Sequence, residues 1–217
     1  MHYLENLWNA LDFGSLWDML SRLLSVLLCL TVHECCHALA ALALGDHTAE
    51  ARRRISLNPL HHIDWFGLVM MLTAGFGWAK PVPVDMRSFR HPRRDMALTA
   101  LAGPVSNFLL AALLILAAKW VLPMWDTGGF RVTVGFFLLD TAILSIGLGI
   151  FNLVPLPPLD GSKVLFSLLP ERVYRSILRY ERYGFIVLWA LVLLGVGERW
   201  MSAAIAWVFE LLYRLIF

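Results

Sequence analysis

Two histidines and a glutamate lie close together in an apolar run near the start of the chain. They are His33, Glu34 and His37, in the segment HECCH. Because residues four apart share one face of a helix, both imidazoles can reach a single metal ion. Zinc accepts such nitrogen ligands, and the glutamate after the first histidine can act as a base on zinc-bound water. The spacing therefore predicts the zinc site of a hydrolase.

The surroundings of these residues support that interpretation. Apart from Glu34, the segment from Leu23 to Leu44 contains no Asp, Glu, Lys or Arg. Such a run is long enough to span a membrane. Ionisable side chains are costly at that depth and usually mark a functional site. The alternative is a helix that uses these polar residues only for packing, so a third metal ligand is needed to complete the case.

Asp160 is the candidate for the third ligand. It follows a proline-rich stretch, NLVPLPPLDG, that begins at Asn152 and ends at Gly161. Prolines cannot continue a normal helix, and irregular backbone at membrane depth is tolerated only inside protein or beside a watery cavity. Asp160 can thus be presented to the first span. The alternative for Asp160 is a cap for the helix that begins near Ser162. The alternative for Asn152 is a hydrogen bond at a helix end.

The composition indicates a membrane protein. Of the 217 residues, 59% are hydrophobic and only 16% are charged, and no basic cluster suggests nucleic-acid binding. Four apolar segments reach or approach the length of a span: 17–44, 96–122, 132–154 and 183–217. The last could form a tight hairpin turning at Gly195–Gly197, or one span plus an interfacial helix.

A less regular region separates the first two spans. Residues 63–78 contain too few apolar residues to cross a membrane, so a re-entrant or interfacial element is expected. Residues 77–85 alternate like a strand, but Pro81 and Pro83 restrict them to an edge strand. Such an edge could accept an extended peptide by strand addition. The alternative is an ordinary interfacial loop.

These patterns together predict an all-α polytopic membrane protein. About four to five transmembrane helices are expected, with the re-entrant or short β element between the first two long spans. Residues 1–19 have the spacing of an amphipathic helix in the membrane interface. Lys and Arg are concentrated in segments 46–95 and 156–182, so both segments should be cytoplasmic and the metal site should lie toward that side.

The paired motifs resemble those of the site-2 protease family of intramembrane zinc metalloproteases. HECCH in a membrane helix and NLVPLPPLDG after a later span carry most of the resemblance. Segments 58–64, 80–84 and 102–107 (NPLHHID, KPVPV and AGPVSN) add to it. The resemblance covers about residues 20–165 and is weaker at both ends.

This resemblance implies a role for each candidate residue. His33, His37 and Asp160 would bind one zinc ion per chain, and Glu34 would be the general base. Asn152 would stabilise the oxyanion of the reaction. The whole chain, 1–217, would then be one integral membrane protease domain with its catalytic core in residues 20–165. Residues 166–217 would add an interfacial helix and the C-terminal membrane helices.

The resemblance also implies a zinc metalloendopeptidase that cuts transmembrane protein substrates within the lipid bilayer, in a prokaryotic cell membrane. No PDZ or CBS domain is recognisable, so regulation would come from the membrane helices, a regulatory membrane protein or a homo-oligomer. One alternative is a catalytically silent relative that binds membrane proteins. Another is a zinc transporter, which would explain a metal site but not the position of Glu34 between the histidines.

Overall fold

The computed structural model describes residues 16–74, 80–122, 129–170 and 184–217. Within these ranges all regular structure is helical, and no β-strand is formed. The helices are α1 (Leu16–Ala43), α2 (Thr48–Ala51), α3 (Trp65–Ala74), α4 (Pro92–Val121), α5 (Gly129–Leu153), α6 (Asp160–Ser167), α7 (Gly184–Leu193) and α8 (Glu198–Ile216). Short 3-10 turns occupy Pro59–His61 and Met86–Ser88.

Three of these helices, α1, α4 and α5, are long and apolar enough to cross a membrane. A fourth crossing results if α7 and α8 are counted together as one broken span. The prediction of an all-α polytopic membrane protein is therefore confirmed. The described residues supply three to four spans, whereas about four to five were predicted.

The C-terminal helices turn where the glycines predicted it. Gly195 and Gly197 both have positive φ angles, of 65° and 96°, which side chains rarely allow. The axes of α7 and α8 differ by 88°, so the two arms are not the antiparallel pair of a tight hairpin. α8 instead packs against α5 through residues that include Ile205 and Val208.

The centre of the bundle lies between α4 and α5. Ala111 and Ile115 of α4 pack with Ala142 and Ile146 of α5, and all four are fully buried. α1 joins this pair through a polar contact, because the hydroxyls of Ser25 and Thr141 lie 2.7 Å apart. Small and polar contacts of this kind let membrane helices approach closely.

The region between α1 and α4 contains no span. α3 has ten residues, too few to cross a bilayer. Residues 80–85 are non-helical but pair with no strand, so the predicted short β element is not confirmed and the re-entrant course stays a prediction. Residues 1–15, 75–79 and 171–183 lie outside the described residues. They include most of the predicted N-terminal interfacial helix, the start of the predicted edge strand and most of the interfacial helix expected after residue 166.

Candidate active site

The three predicted metal ligands converge at one point. His33 and His37 project from the same face of α1, and Asp160 is the first residue of α6, directly after the proline-rich loop. Oδ2 of Asp160 lies 3.2 Å from Nε2 of His33 and 3.0 Å from Nε2 of His37. The two Nε2 atoms lie 3.0 Å apart. All three side chains are buried.

This donor set fits a zinc ion. Ligand atoms about 2.0–2.1 Å from a tetrahedral ion would lie roughly 3.3 Å from one another. The observed separations of 3.0–3.2 Å are close to that value. Two imidazoles and one carboxylate also match the three-ligand shell of catalytic zinc sites, which keeps a fourth position for water or substrate.

Contacts behind the ligands orient them. Nδ1 of His37 lies 2.7 Å from the carbonyl oxygen of Thr99, to which it donates, so Nε2 keeps its lone pair for a metal. Nζ of Lys163 lies 3.1 Å from Oδ1 of Asp160, which leaves Oδ2 facing the histidines. Burial alone would raise the pKa of Asp160. The adjacent imidazoles and the charge of Lys163 instead hold that pKa well below its usual range.

The backbone of α4 passes directly against the two imidazoles at Gly103. A Cβ atom at this position would lie 2.4 Å from Nε2 of His37 and 2.6 Å from Cε1 of His33. Any side chain there would therefore displace the metal-binding edge of both rings. Gly103 belongs to segment 102–107, and it is where α4 meets the two histidines.

Glu34 lies beside the cluster but is engaged by another segment. Its side chain is buried, and Oε2 accepts a hydrogen bond of 3.1 Å from the backbone N–H of Val82. Asn152 is half-buried, and its side-chain amide donates to the carbonyl of Leu148, 3.0 Å away on the same helix. The structure therefore gives Asn152 the helix-end hydrogen bond considered as an alternative, with its side chain at the edge of the same cavity.

All five predicted site residues line a single cavity of about 1120 Å³. Its remaining walls are mainly apolar and come from α1, α4, α5 and the C-terminal helices. Examples are Leu30, Leu144, Phe151, Leu188 and Ile205. A cavity of this size is large enough for an extended peptide segment, and its polar groups are concentrated at the metal ligands and Glu34.

Sequence reasoning missed two buried charges beside this cavity, Arg54 and Asp46. Arg54 is 7% exposed, whereas Arg52 and Arg53 next to it are exposed. The three consecutive arginines were interpreted only as a topology signal, and nothing in their spacing distinguishes the buried one. Asp46 is fully buried just after α1 and follows a glycine, a position that usually indicates only a turn.

The sequence is similar to those of known peptidases. The profile of the family described as "Peptidase family M50" matches residues 128–195. A protein of Bacillus subtilis named "Putative zinc metalloprotease YwhC" is 39% identical over 179 residues, which cover 81% of each chain. Proteins named "Putative zinc metalloprotease Rip2" from Mycolicibacterium smegmatis and Mycobacterium tuberculosis are each 29% identical, over 85% of this chain and 71% of theirs.

No solved structure matches the chain. The similarity to YwhC extends over most of both proteins, and the family profile covers α5, the proline-rich loop and Asp160. Sequence similarity and the buried set of two imidazoles and a carboxylate point to the same enzyme class. The chain therefore belongs to peptidase family M50, the site-2 protease family, and is a membrane zinc metalloprotease.

Proposed function

We propose that this enzyme hydrolyses peptide bonds within or near the transmembrane segments of other membrane proteins. The observation that carries the proposal is the position of His33, His37, Asp160 and Glu34 around one largely apolar cavity between membrane-length helices. The polar groups of a water-soluble peptide would lose their hydration against such walls without compensation. An apolar segment leaving a bilayer would keep its side chains in a similar environment.

The substrate must reach this cavity with an unwound backbone, because an intact helix hides its carbonyl groups in hydrogen bonds. Residues 80–85 offer a place to hold it. Pro81 and Pro83 have no N–H and cannot donate a backbone hydrogen bond. In extended backbone, Val82 and Val84 share the opposite edge, which carries both N–H donors and carbonyl acceptors. The Val82 N–H binds Glu34, so strand addition beside the catalytic base would use the carbonyl of Val82 and the backbone N–H and carbonyl of Val84.

The proposed roles follow from the contacts. His33, His37 and Asp160 hold one zinc ion per chain, which would act as a Lewis acid and lower the pKa of water toward about 7. Glu34 takes a proton from the attacking water on its carboxylate and passes it to the amine of the leaving peptide. The Val82 N–H holds Oε2 of that carboxylate, which leaves Oε1 for proton transfer.

Asn152 has the weaker structural support of the two proposed catalytic residues. Its amide now donates to Leu148, so its role at the oxyanion requires a rotation of the side chain when substrate binds. An amide donor aimed at developing negative charge would stabilise the transition state. The position of Asn152 at the cavity wall is compatible with that movement.

The proposed setting is a bacterial cell membrane, with the site toward the cytoplasmic side. The bacterial relatives and the excess of Lys and Arg in segments 46–95 and 156–182 support this assignment. A transmembrane protein would be the substrate. A regulatory membrane protein or a second copy of the chain would control access.

The deciding experiment compares the wild type with Glu34→Gln. Each is co-expressed with a panel of epitope-tagged single-span membrane proteins whose spans carry a helix-breaking Gly or Pro pair. The wild type should release a product that Glu34→Gln reduces by about 10²–10⁴-fold, as expected for loss of a general base, while zinc content stays the same. Chelation of zinc should stop cleavage, and added zinc should restore it.

The cleavage experiment and a measurement of zinc uptake together separate the alternatives. A wild type that holds zinc but cleaves no member of the panel would indicate the catalytically silent relative. Zinc uptake into liposomes that is unaffected by Glu34→Gln would indicate a transporter. Full cleavage by Glu34→Gln would overturn the assignment of Glu34 as the base.

A further inference from the structure

Pro81, Val82 and Val84 line the cavity, and the buried Arg54 binds residues 80–85 at one end. Its guanidinium donates to the carbonyl oxygens of His61 and Lys80, and to that of Pro81 at 3.2 Å. Its acceptors in the described part of the chain are thus backbone carbonyls rather than a carboxylate. A cation buried in this way is costly, so its position needs a reason beyond general stability.

Asp46 binds the other end. Its carboxylate is fully buried, and Oδ2 accepts a hydrogen bond of 2.8 Å from the backbone N–H of Asp85. Oδ1 accepts from the backbone N–H and the hydroxyl of Thr48, which fixes the side chain at the start of α2. Burial by itself would raise the pKa of Asp46, but these hydrogen bonds lower it below its usual value, so the carboxylate stays charged.

Between these two ends lies the contact with the catalytic base. Val82 donates its N–H to Glu34, one residue after the Arg54 contact at Pro81 and three before the Asp46 contact at Asp85. Both prolines fix φ, and the residue before each proline is confined to extended backbone. A shift at either end is therefore passed along a stiff segment to Val82.

We propose that Arg54 and Asp46 are positioning residues that clamp residues 80–85 and so set the register in which a bound peptide meets Glu34 and the metal ligands. The inference rests on the proposed function, because the register matters only if this segment holds the substrate. Neither side chain is a proposed metal ligand, and each binds backbone groups of the segment. The charge of Arg54 also interacts with that of Glu34. The planar guanidinium of Arg54 donates hydrogen bonds to carbonyl groups of two chain segments at once. A lysine ammonium does not provide that geometry.

The first test is hydrogen exchange of the peptide covering 80–85, in protein reconstituted into lipid nanodiscs. Because Pro81 and Pro83 have no amide hydrogen, the signal comes only from Lys80, Val82, Val84 and Asp85. Arg54→Met and Asp46→Asn should each speed exchange of this peptide by about tenfold or more, as expected for loss of a clamping hydrogen bond.

Two matched variants serve as controls. Arg52→Met removes an exposed arginine two residues away, and Asp85→Asn keeps the backbone N–H that Asp46 binds. Both should leave the exchange of this peptide unchanged. Zinc content should be the same in all four variants as in the wild type. Unchanged exchange in Arg54→Met and Asp46→Asn would overturn the clamp, and so would an increase spread over the whole chain.

The second test measures cleavage of a single-span panel member that the wild type cuts. Arg54→Met should lower kcat/KM by about 10- to 100-fold, mainly through KM, and mass spectrometry should find several cleaved bonds instead of one. The kcat/KM of Arg54→Lys should lie between that of Arg54→Met and that of the wild type. The register claim would be overturned if Arg54→Met cut a single bond with an unchanged KM. It would also be overturned if the loss of activity in Arg54→Met were confined to kcat. If the wild type cuts no probe, the proposed function fails and the exchange result alone decides whether the clamp exists.

Discussion

At the scale of single residues, the two histidines are held differently. His37 is fixed from behind by its bond to the Thr99 carbonyl, whereas Nδ1 of His33 has no hydrogen-bond partner among the described residues. The orientation of His33 must therefore come from packing and from the shared contact with Asp160. The bare backbone at Gly103 packs against both rings.

Substitution Gly103→Ala should remove zinc. The added Cβ would lie 2.4 Å from Nε2 of His37, against a buried ring that Thr99 holds in place, so the ligand atom must move. Zinc per chain, measured by elemental analysis of purified protein, should fall well below one. Gly147→Ala is the matched control, because its nearest neighbour is the flexible end of Ile205 at 3.3 Å. Full zinc content in Gly103→Ala would show that α4 can shift without cost to the site.

At the scale of elements, the segment at residues 80–85 departs most from the sequence prediction. Alternation and prolines predicted an edge strand, but the described chain provides no strand to pair with it. Its backbone groups bind instead to His62, Arg54, Glu34 and Asp46. The segment is thus fixed in place but has no strand partner among the described residues. Strand addition by a substrate requires both properties.

Replacement of Val82 and Val84 by proline tests this element. The double variant loses both remaining N–H groups on the donating edge, including the one bound to Glu34, so cleavage should fall by at least about tenfold. Zinc content should not change. The variant with alanine at both positions keeps the N–H groups and should retain most activity. Unchanged cleavage by the proline variant would reject the segment as a substrate-binding edge.

Sequence alone predicted the parts of the molecule that depend on local pattern. The long apolar runs became α1, α4 and α5, and the glycines at 195–197 mark the observed bend. HECCH and Asp160 were found because ligand chemistry limits the residue types that zinc accepts. Arg54, Asp46 and the Thr99 carbonyl could not be found in this way, because their roles exist only after distant segments have packed together.

At the scale of the whole molecule, the depth of the site follows from the position of His37 in α1. His37 lies six positions before the last residue of this helix, Ala43, which corresponds to about 9 Å at 1.5 Å per residue. We therefore expect the site to lie below the membrane surface at the end of α1 that leads into segment 46–95. The excess of Lys and Arg in that segment predicts that this surface is cytoplasmic.

Cysteine labelling in intact cells tests the orientation. The three native cysteines, Cys29, Cys35 and Cys36, are replaced by alanine, and single cysteines are introduced at Arg52 and at Thr127, in the predicted loop between α4 and α5. A membrane-impermeant maleimide should label the cysteine at 127 in intact cells. It should label the one at 52 only after the cells are opened, because segment 46–95 carries eight Lys and Arg residues and loop 119–131 only two. The reverse pattern would place the site on the outer side, where a substrate would have to enter from the opposite surface.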